Sequence, residues 1–283
     1  MDFRPTRFEV LPPVVKNLMI INGLFFLAMI ILGKQGIDIS QHLALYHWSS
    51  DKFRIWQLVT HMFMHGGNPA DPEGGFMHLF SNMFALWMFG SILENMFGAK
   101  RFLTFYILCG IGASIFYLGF LSYDFYTLKN AIVHFNANPT YKEYGSFLSQ
   151  NYSASANLQD PFFQLKAAWE YDPNNIVFIN QAKAYIHDYY QITISNPIVG
   201  ASGAVFGLLF AFGYLFPNTI IQIYFFFPIK AKYFVALYAA IELYFGFKNS
   251  AGDNVAHTAH LGGMLIAFII LKIWNKNNRK NFY

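Results

Sequence analysis

The sequence predicts an all-α, polytopic membrane protein with six spanning helices and a large extramembrane insert before the fourth. Three observations carry that prediction. Of 283 residues, 55% are hydrophobic and only 12% are charged, against about 25% charged in a soluble globular domain. Mean hydropathy is +0.32. The apolar residues gather into runs close to the roughly 20 residues that a bilayer core demands. Such a composition excludes a disordered chain and argues against an ordinary soluble enzyme. The net charge is +4, and the basic residues are too scattered to track the phosphates of a nucleic acid. The single cysteine, Cys109, excludes an intramolecular disulfide or a cysteine zinc site. Its apolar neighbours predict a buried, inert thiol.

The first predicted span is Leu18–Leu32, flanked by Lys16 and Lys34. It lacks a small-residue cleavage pattern and does not read as a removed leader. The second, Met77–Leu93, carries His78, Ser81 and Asn82, and the third is Phe102–Leu121. The fourth, Val199–Phe216, stops at Pro217; the fifth, Tyr233–Phe247, contains Glu242; the sixth, Val255–Trp274, holds His257 and His260 near its start. Residues 1–121 thus form a tail with three spans, 122–198 an extracytoplasmic insert, and 199–283 three more spans with a basic tail. Within the insert, Asn138-Pro139, Asp160-Pro161, Asp172-Pro173 and Asn196-Pro197 act as breakers, and Phe162–Tyr171 and Ile176–Tyr190 read as short helices. The first outer loop, 34–76, contains the turn-forming run Gly66-Gly67-Asn68-Pro69.

Orientation follows from basic residues. With the N-terminus inside, segments 1–17, 94–101, 217–232 and 275–283 hold ten lysines and arginines, whereas the longer loops 34–76, 122–198 and 248–254 hold eight. Both termini are therefore expected in the cytoplasm, and a compact core of this kind suits a bacterial inner membrane.

Ionisable groups inside spans are costly and mark function by default. In Gly200-Ala201-Ser202-Gly203-Ala204, the glycines clear space around a hydroxyl near the outer end of the fourth span. Taken alone, such a run reads first as a packing face. In Ala259-His260-Leu261-Gly262-Gly263, Ala259 and Gly263 share a small face beside His260 at a similar depth. Two such faces in contact would set an imidazole against a hydroxyl, the arrangement of a serine nucleophile and its general base. His257 is the rival base, about 4.5 Å higher along the helix and without those flanks. His78 and Asn82, spaced i, i+4, project from one face and offer donors to an oxyanion; their structural alternative is a buried polar pair. No acid is expected to orient His260: Glu94 lies at the far end of its span and Asp253 seven residues away, so a Ser–His dyad is expected instead of a triad. His61 and His65 have a spacing that could ligate zinc, but they lack the His-Glu-x-x-His pattern and read as pins for the outer loop. No metal and no cofactor are expected.

Together, His78-x-x-x-Asn82, Gly200-x-Ser202-Gly203 and Ala259-His260-x-x-Gly263, in this order and in these spans, resemble the rhomboid family of intramembrane serine proteases. Trp56, His61 and His65 look like that family's first-loop pattern, and Glu94, Gly98 and Lys100 its motif at the cytoplasmic end of the second helix. The resemblance covers roughly 15–120 and 196–274. It implies a rhomboid-like six-helix bundle in which Ser202 is the nucleophile, His260 the base, and His78, Asn82 and the Ser202 backbone N–H the oxyanion hole beside Gly200. It also implies single-span or polytopic membrane-protein substrates entering laterally past the fifth helix and loop 248–254, with no nucleic-acid partner. Phe206 stands where the family often has tyrosine; it can stack on His260 but not donate a hydrogen bond. The insert departs from the family, and no family function transfers to it. The alternatives are a non-catalytic rhomboid-like scaffold that binds membrane proteins and a histidine-using transporter.

Overall fold

The computed structural model describes residues 8–66, 72–152, 160–223, 227–248 and 256–278. The turn residues Gly67, Asn68 and Pro69, the loop 249–255 with Asp253, and Arg4, Arg7, Arg279 and Lys280 lie outside the described residues. The chain divides into two compact units, one built from the residues up to 118, 197–248 and 255 onward, the other containing 119–196.

The first unit opens with α1 (Pro13–Gly33). Pro13 at its first position has no N–H to satisfy. The free N–H groups of Val14 and Val15 instead donate to the two oxygens of Glu94, at 2.9 and 2.8 Å. A carboxylate there also complements the positive end of the helix dipole, which gives Glu94 a structural role at the far end of its span. Ile20, Leu24, Leu27 and Ile31 of α1 stay exposed, as an apolar helix facing lipid requires.

The loop after α1 holds α2 (Ser40–Leu43) and α3 (Gln57–Thr60), followed by one tight turn over His61–Phe63. Gln57 knits it together: its amide donates to His42 and Lys52 carbonyls and accepts from Arg54 N–H. Next come α4 (Pro72–Ala85), a wider π turn over Leu86–Gly90, and α5 (Ser91–Phe97). They form one rod, 73–97, long and apolar enough to cross a membrane. Gly98, at φ +77°, ends it in a conformation that favours glycine.

α6 runs Ala99–Ala137. The helix continues past Leu121, where the third span was expected to end: polarity rises there, but no proline interrupts the helix before Pro139. Its second half belongs to the second unit, with α7 (Tyr141–Asn151), α8 (Pro161–Tyr171) and α9 (Ile176–Ile194). Thr140, Asp160 and Asn175 each cap the helix that follows by accepting a backbone N–H. The core of this unit is aromatic, with Phe135, Tyr144 and Trp169 buried against one another.

Back in the first unit are α10 (Ser202–Leu215), a hairpin of β1 (Ile220–Ile223) and β2 (Phe227–Lys230), α11 (Ala231–Lys248) and α12 (His257–Asn278). The hairpin, antiparallel with Ile220 opposite Lys230, was not expected in an all-α chain; its β-branched residues suit a strand. Among the described residues, four helices are long and apolar enough to span a bilayer: α1, the α4–α5 rod, α6 and α12. α10 is shorter, about 21 Å at 1.5 Å per residue, and lies at the centre of the unit, with Ala204, Leu208, Ala211 and Phe212 buried.

Candidate active site

The segment before α10 is held by the loop between α1 and α4. Leu45 and Ile198 exchange backbone hydrogen bonds at 2.9 and 2.8 Å, and Gly200 N–H donates to the His61 carbonyl at 2.9 Å. Ala201 N–H points to His65 Nε2 at 3.4 Å. His61 itself donates from Nδ1 to the Gln57 carbonyl, and its Nε2 lies 3.0 Å from Ser114 Oγ. Both nitrogens are engaged, so His61 pins loop to helix and leaves no ligand atom for a metal. Burial pushes His61 down to about 4. Burial first, then the neighbouring His78, pushes His65 down to about 3. Both rings are therefore neutral at physiological pH.

Gly200 has φ +121°, a backbone that favours glycine. A Cβ there would stand 2.8 Å from His78 Nε2, so the position also has to be small for the His78 ring to lie where it does. The chain then turns straight into α10. Ser202 is its first residue, not two or three residues inside as the sequence suggested. Backbone N–H groups of a first turn have no carbonyl one turn earlier to donate to, so they stay available beside the hydroxyl.

α10 and α12 approach through small residues. A Cβ on Gly263 would lie 1.9 Å from the Gly203 carbonyl oxygen, and one on Gly207 would lie 3.2 Å from the Gly263 oxygen. Backbone contact this close places His260 Nε2 2.8 Å from Ser202 Oγ. Phe206, one turn along α10, stacks flat on the His260 ring at 4.0 Å and 6°. His260 is buried and Ser202 only partly so.

The expectation that no acid would orient His260 is overturned. Glu242 of α11 accepts from His260 Nδ1 at 2.8 Å and from His257 Nδ1 at 2.6 Å, both on Oε2. Sequence spacing hid it because α11 is a separate helix whose facing could not be read from its nearly uniform apolar composition. The one signal was an acid inside an otherwise apolar run. His257 therefore meets Glu242, not the serine. Glu242, His257 and His260 also bring three potential metal-ligating atoms within 4.8 Å of one another.

His78 lies edge-on to His65 at 5.1 Å and borders Gly200. Asn82 is buried, and its amide donates to the His78 carbonyl at 2.8 Å, which occupies one of its two amide hydrogens.

The family model for the rhomboid domain matches residues 52–128 and 175–276, more than half of the chain. The chain belongs to the rhomboid family. It is an integral membrane protein. The unmatched stretch of this rhomboid, 129–174, falls in the second unit. The chain is 27% identical over 199 residues to rhomboid protein 1, mitochondrial, of Saccharomyces cerevisiae, a match covering 69% of this chain and 37% of that protein. It is 35% identical over 60 residues to RHOMBOID-like protein 5 of Arabidopsis thaliana, covering 21% of this chain and 17% of the relative. The chain thus spans well under half the length of the curated relatives it matches.

Proposed function

We propose that this protein is an intramembrane serine endopeptidase that hydrolyses peptide bonds in or near the spanning segments of membrane proteins. One observation carries the reading: a hydroxyl and an imidazole nitrogen of residues 58 apart in sequence, on two different helices, stand 2.8 Å from each other. In this reaction the Ser202 hydroxyl proton passes to His260 Nε2 while Oγ bonds to the scissile carbonyl carbon. The carbonyl electron pair moves onto oxygen, which meets the Ser202 N–H, the His78 ring and the free Asn82 amide hydrogen. Each such donor contributes about 10²–10³-fold where it has been removed from serine peptidases. Collapse breaks the C–N bond, the leaving amine takes the proton from Nε2, and water clears the acyl-enzyme under the same base.

We read α10 and α11 as the fourth and fifth of six spans and residues 122–198 as an insert outside the membrane. The excess of lysine and arginine in the short segments supports cytoplasmic termini. The short α10, with serine at its first residue, supports a site below the outer surface but open to water. Purified protein reconstituted with a single-span substrate tests the reading. Ser202→Ala and His260→Ala should each cut cleavage by about 10³-fold or more, and a fluorophosphonate should label wild type but not Ser202→Ala. Undiminished cleavage by Ser202→Ala would overturn it.

A further inference from the structure

We propose that Glu242 is a positioning residue for this reaction, holding His260 in the one tautomer that can take the Ser202 proton, and that His257 holds Glu242 in turn. The inference rests on the serine-peptidase reading. A carboxylate only accepts hydrogen bonds, so the 2.8 Å contact between Glu242 Oε2 and His260 Nδ1 puts the imidazole hydrogen on Nδ1. A neutral imidazole has one N–H; its Nε2 then carries the lone pair, and that atom faces Ser202 Oγ. Reverse the tautomer and Nε2 becomes a donor with nothing to offer the serine. The carboxylate thus sets the protonation pattern on which the first proton transfer depends.

The same contact acts again as the reaction proceeds. Once Nε2 takes the serine proton, His260 is a cation inside a membrane protein. Both it and Glu242 are about 6% exposed, and a charge pair this close gains far more there than in water. The proton stays on His260 and later leaves from Nε2 to the amine; Glu242 remains a carboxylate throughout, as in a Ser–His–Asp triad.

A lone carboxylate within an apolar helix is costly. His257, one turn before His260, supplies a second N–H at 2.6 Å to the same oxygen. That bond locks the rotamer of Glu242 between the two rings. The base is therefore set by three side chains from two helices: α11 provides the acid, and α12 provides both imidazoles. Among the described residues, the titratable groups facing His260 are Glu242 from α11, His257 from its own helix and His78 from α4.

The test compares full-length wild type with Glu242→Gln, Glu242→Asp and His257→Ala in liposomes, using single-span substrate cleavage, fluorophosphonate labelling and thermal melting. Glu242→Gln should lower kcat by about 10²–10⁴-fold with KM changed less than about threefold, by analogy with the acid-to-amide change in a triad. The acid limb of its kcat/KM profile should move to lower pH, because the imidazolium loses its counter-charge. Glu242→Asp keeps the charge and should recover at least about tenfold of that loss. His257→Ala should lose less than about tenfold, since Glu242 still reaches Nδ1. Glu242→Gln with kcat within threefold of wild type and an unmoved acid limb would overturn the proposal. If Glu242→Gln does not fold, imidazole 15N NMR of the wild type decides: a hydrogen on His260 Nδ1 with Nε2 unprotonated supports the role, and a hydrogen on Nε2 overturns it. Ser202→Ala separates the two readings, because an active Ser202→Ala sinks the peptidase itself, whereas an inactive Ser202→Ala beside an unaffected Glu242→Gln sinks the positioning role alone.

Discussion

At the residue scale, the first-loop histidines show how burial serves position. His61 bridges the Gln57 carbonyl and Ser114, and its own carbonyl holds Gly200 two residues before the serine. The ring is neutral because burial holds it near 4, while in an unfolded chain it titrates near 6.5. Between those values the unfolded state binds more protons, so stability is full above about pH 6.5 and falls as pH drops toward 4. The expected slope is about 1.4 kcal/mol per pH unit for such a histidine. Thermal melting in micelles between pH 7 and 4.5 should show the midpoint falling more steeply in wild type than in His61→Phe, whatever the variant's absolute midpoint. Equal slopes would mean that His61 is not the group being protonated. Of the candidate site residues, Ser202 and His260 could be singled out from the sequence as polar groups beside small residues in apolar runs, and the structure sets them 2.8 Å apart; His78 and Asn82 stood out for the same reason. Glu242 is likewise an acid inside an apolar run, but its partner His260 lies on another helix 18 residues away, and nothing in a chain's order says which faces of two apolar helices meet.

At the element scale, the site depends on how closely α10 and α12 approach. Gly203 and Gly207 face Gly263, and an added Cβ at Gly263 would sit 1.9 Å from a carbonyl oxygen, a gap no rotamer relieves. Gly263→Ala should therefore push the helices apart by about an ångström, and misplacement on that scale costs about 10²-fold in rate. Fluorophosphonate labelling of Ser202 should slow by that factor, and Gly263→Val should abolish it. Wild-type labelling in Gly263→Val would show that the Ser202–His260 contact does not need this approach. This packing was readable because small residues spaced four apart share a helix face. Helix ends were readable where chemistry marks them: Asp160-Pro161 starts α8 and Pro139 follows α6 by two residues. The length of α6 was not, because a fall in hydropathy near 121 says nothing of where the backbone stops coiling. The β1–β2 hairpin was missed for a similar reason: its segment was judged only as a link between spans.

At the scale of the whole molecule, the question is whether the second unit takes part in the chemistry. Every side chain assigned to the site, from His78 to His260, lies in the first unit, and the second has its own core around Phe135, Tyr144 and Trp169. The first unit also shows where the chain leaves and returns. His47 meets the Leu118 backbone, and Leu45, two residues earlier, pairs with Ile198. The two ends are thus tied to one short stretch of the first loop, and a short flexible linker can join them, since the entropy cost of closing a flexible loop rises only slowly with its length. Replacing residues 122–193 by a flexible linker of about eight residues should therefore leave a folded membrane protein whose Ser202 reacts with a fluorophosphonate within about threefold of the wild-type rate. Cleavage of a spanning substrate by the same protein then reads what the insert contributes: an unchanged rate assigns it no part in the reaction, and a raised KM with unchanged labelling assigns it to substrate recruitment. Loss of labelling in a protein that still melts cooperatively would mean that the catalytic groups depend on the second unit, against the division made here.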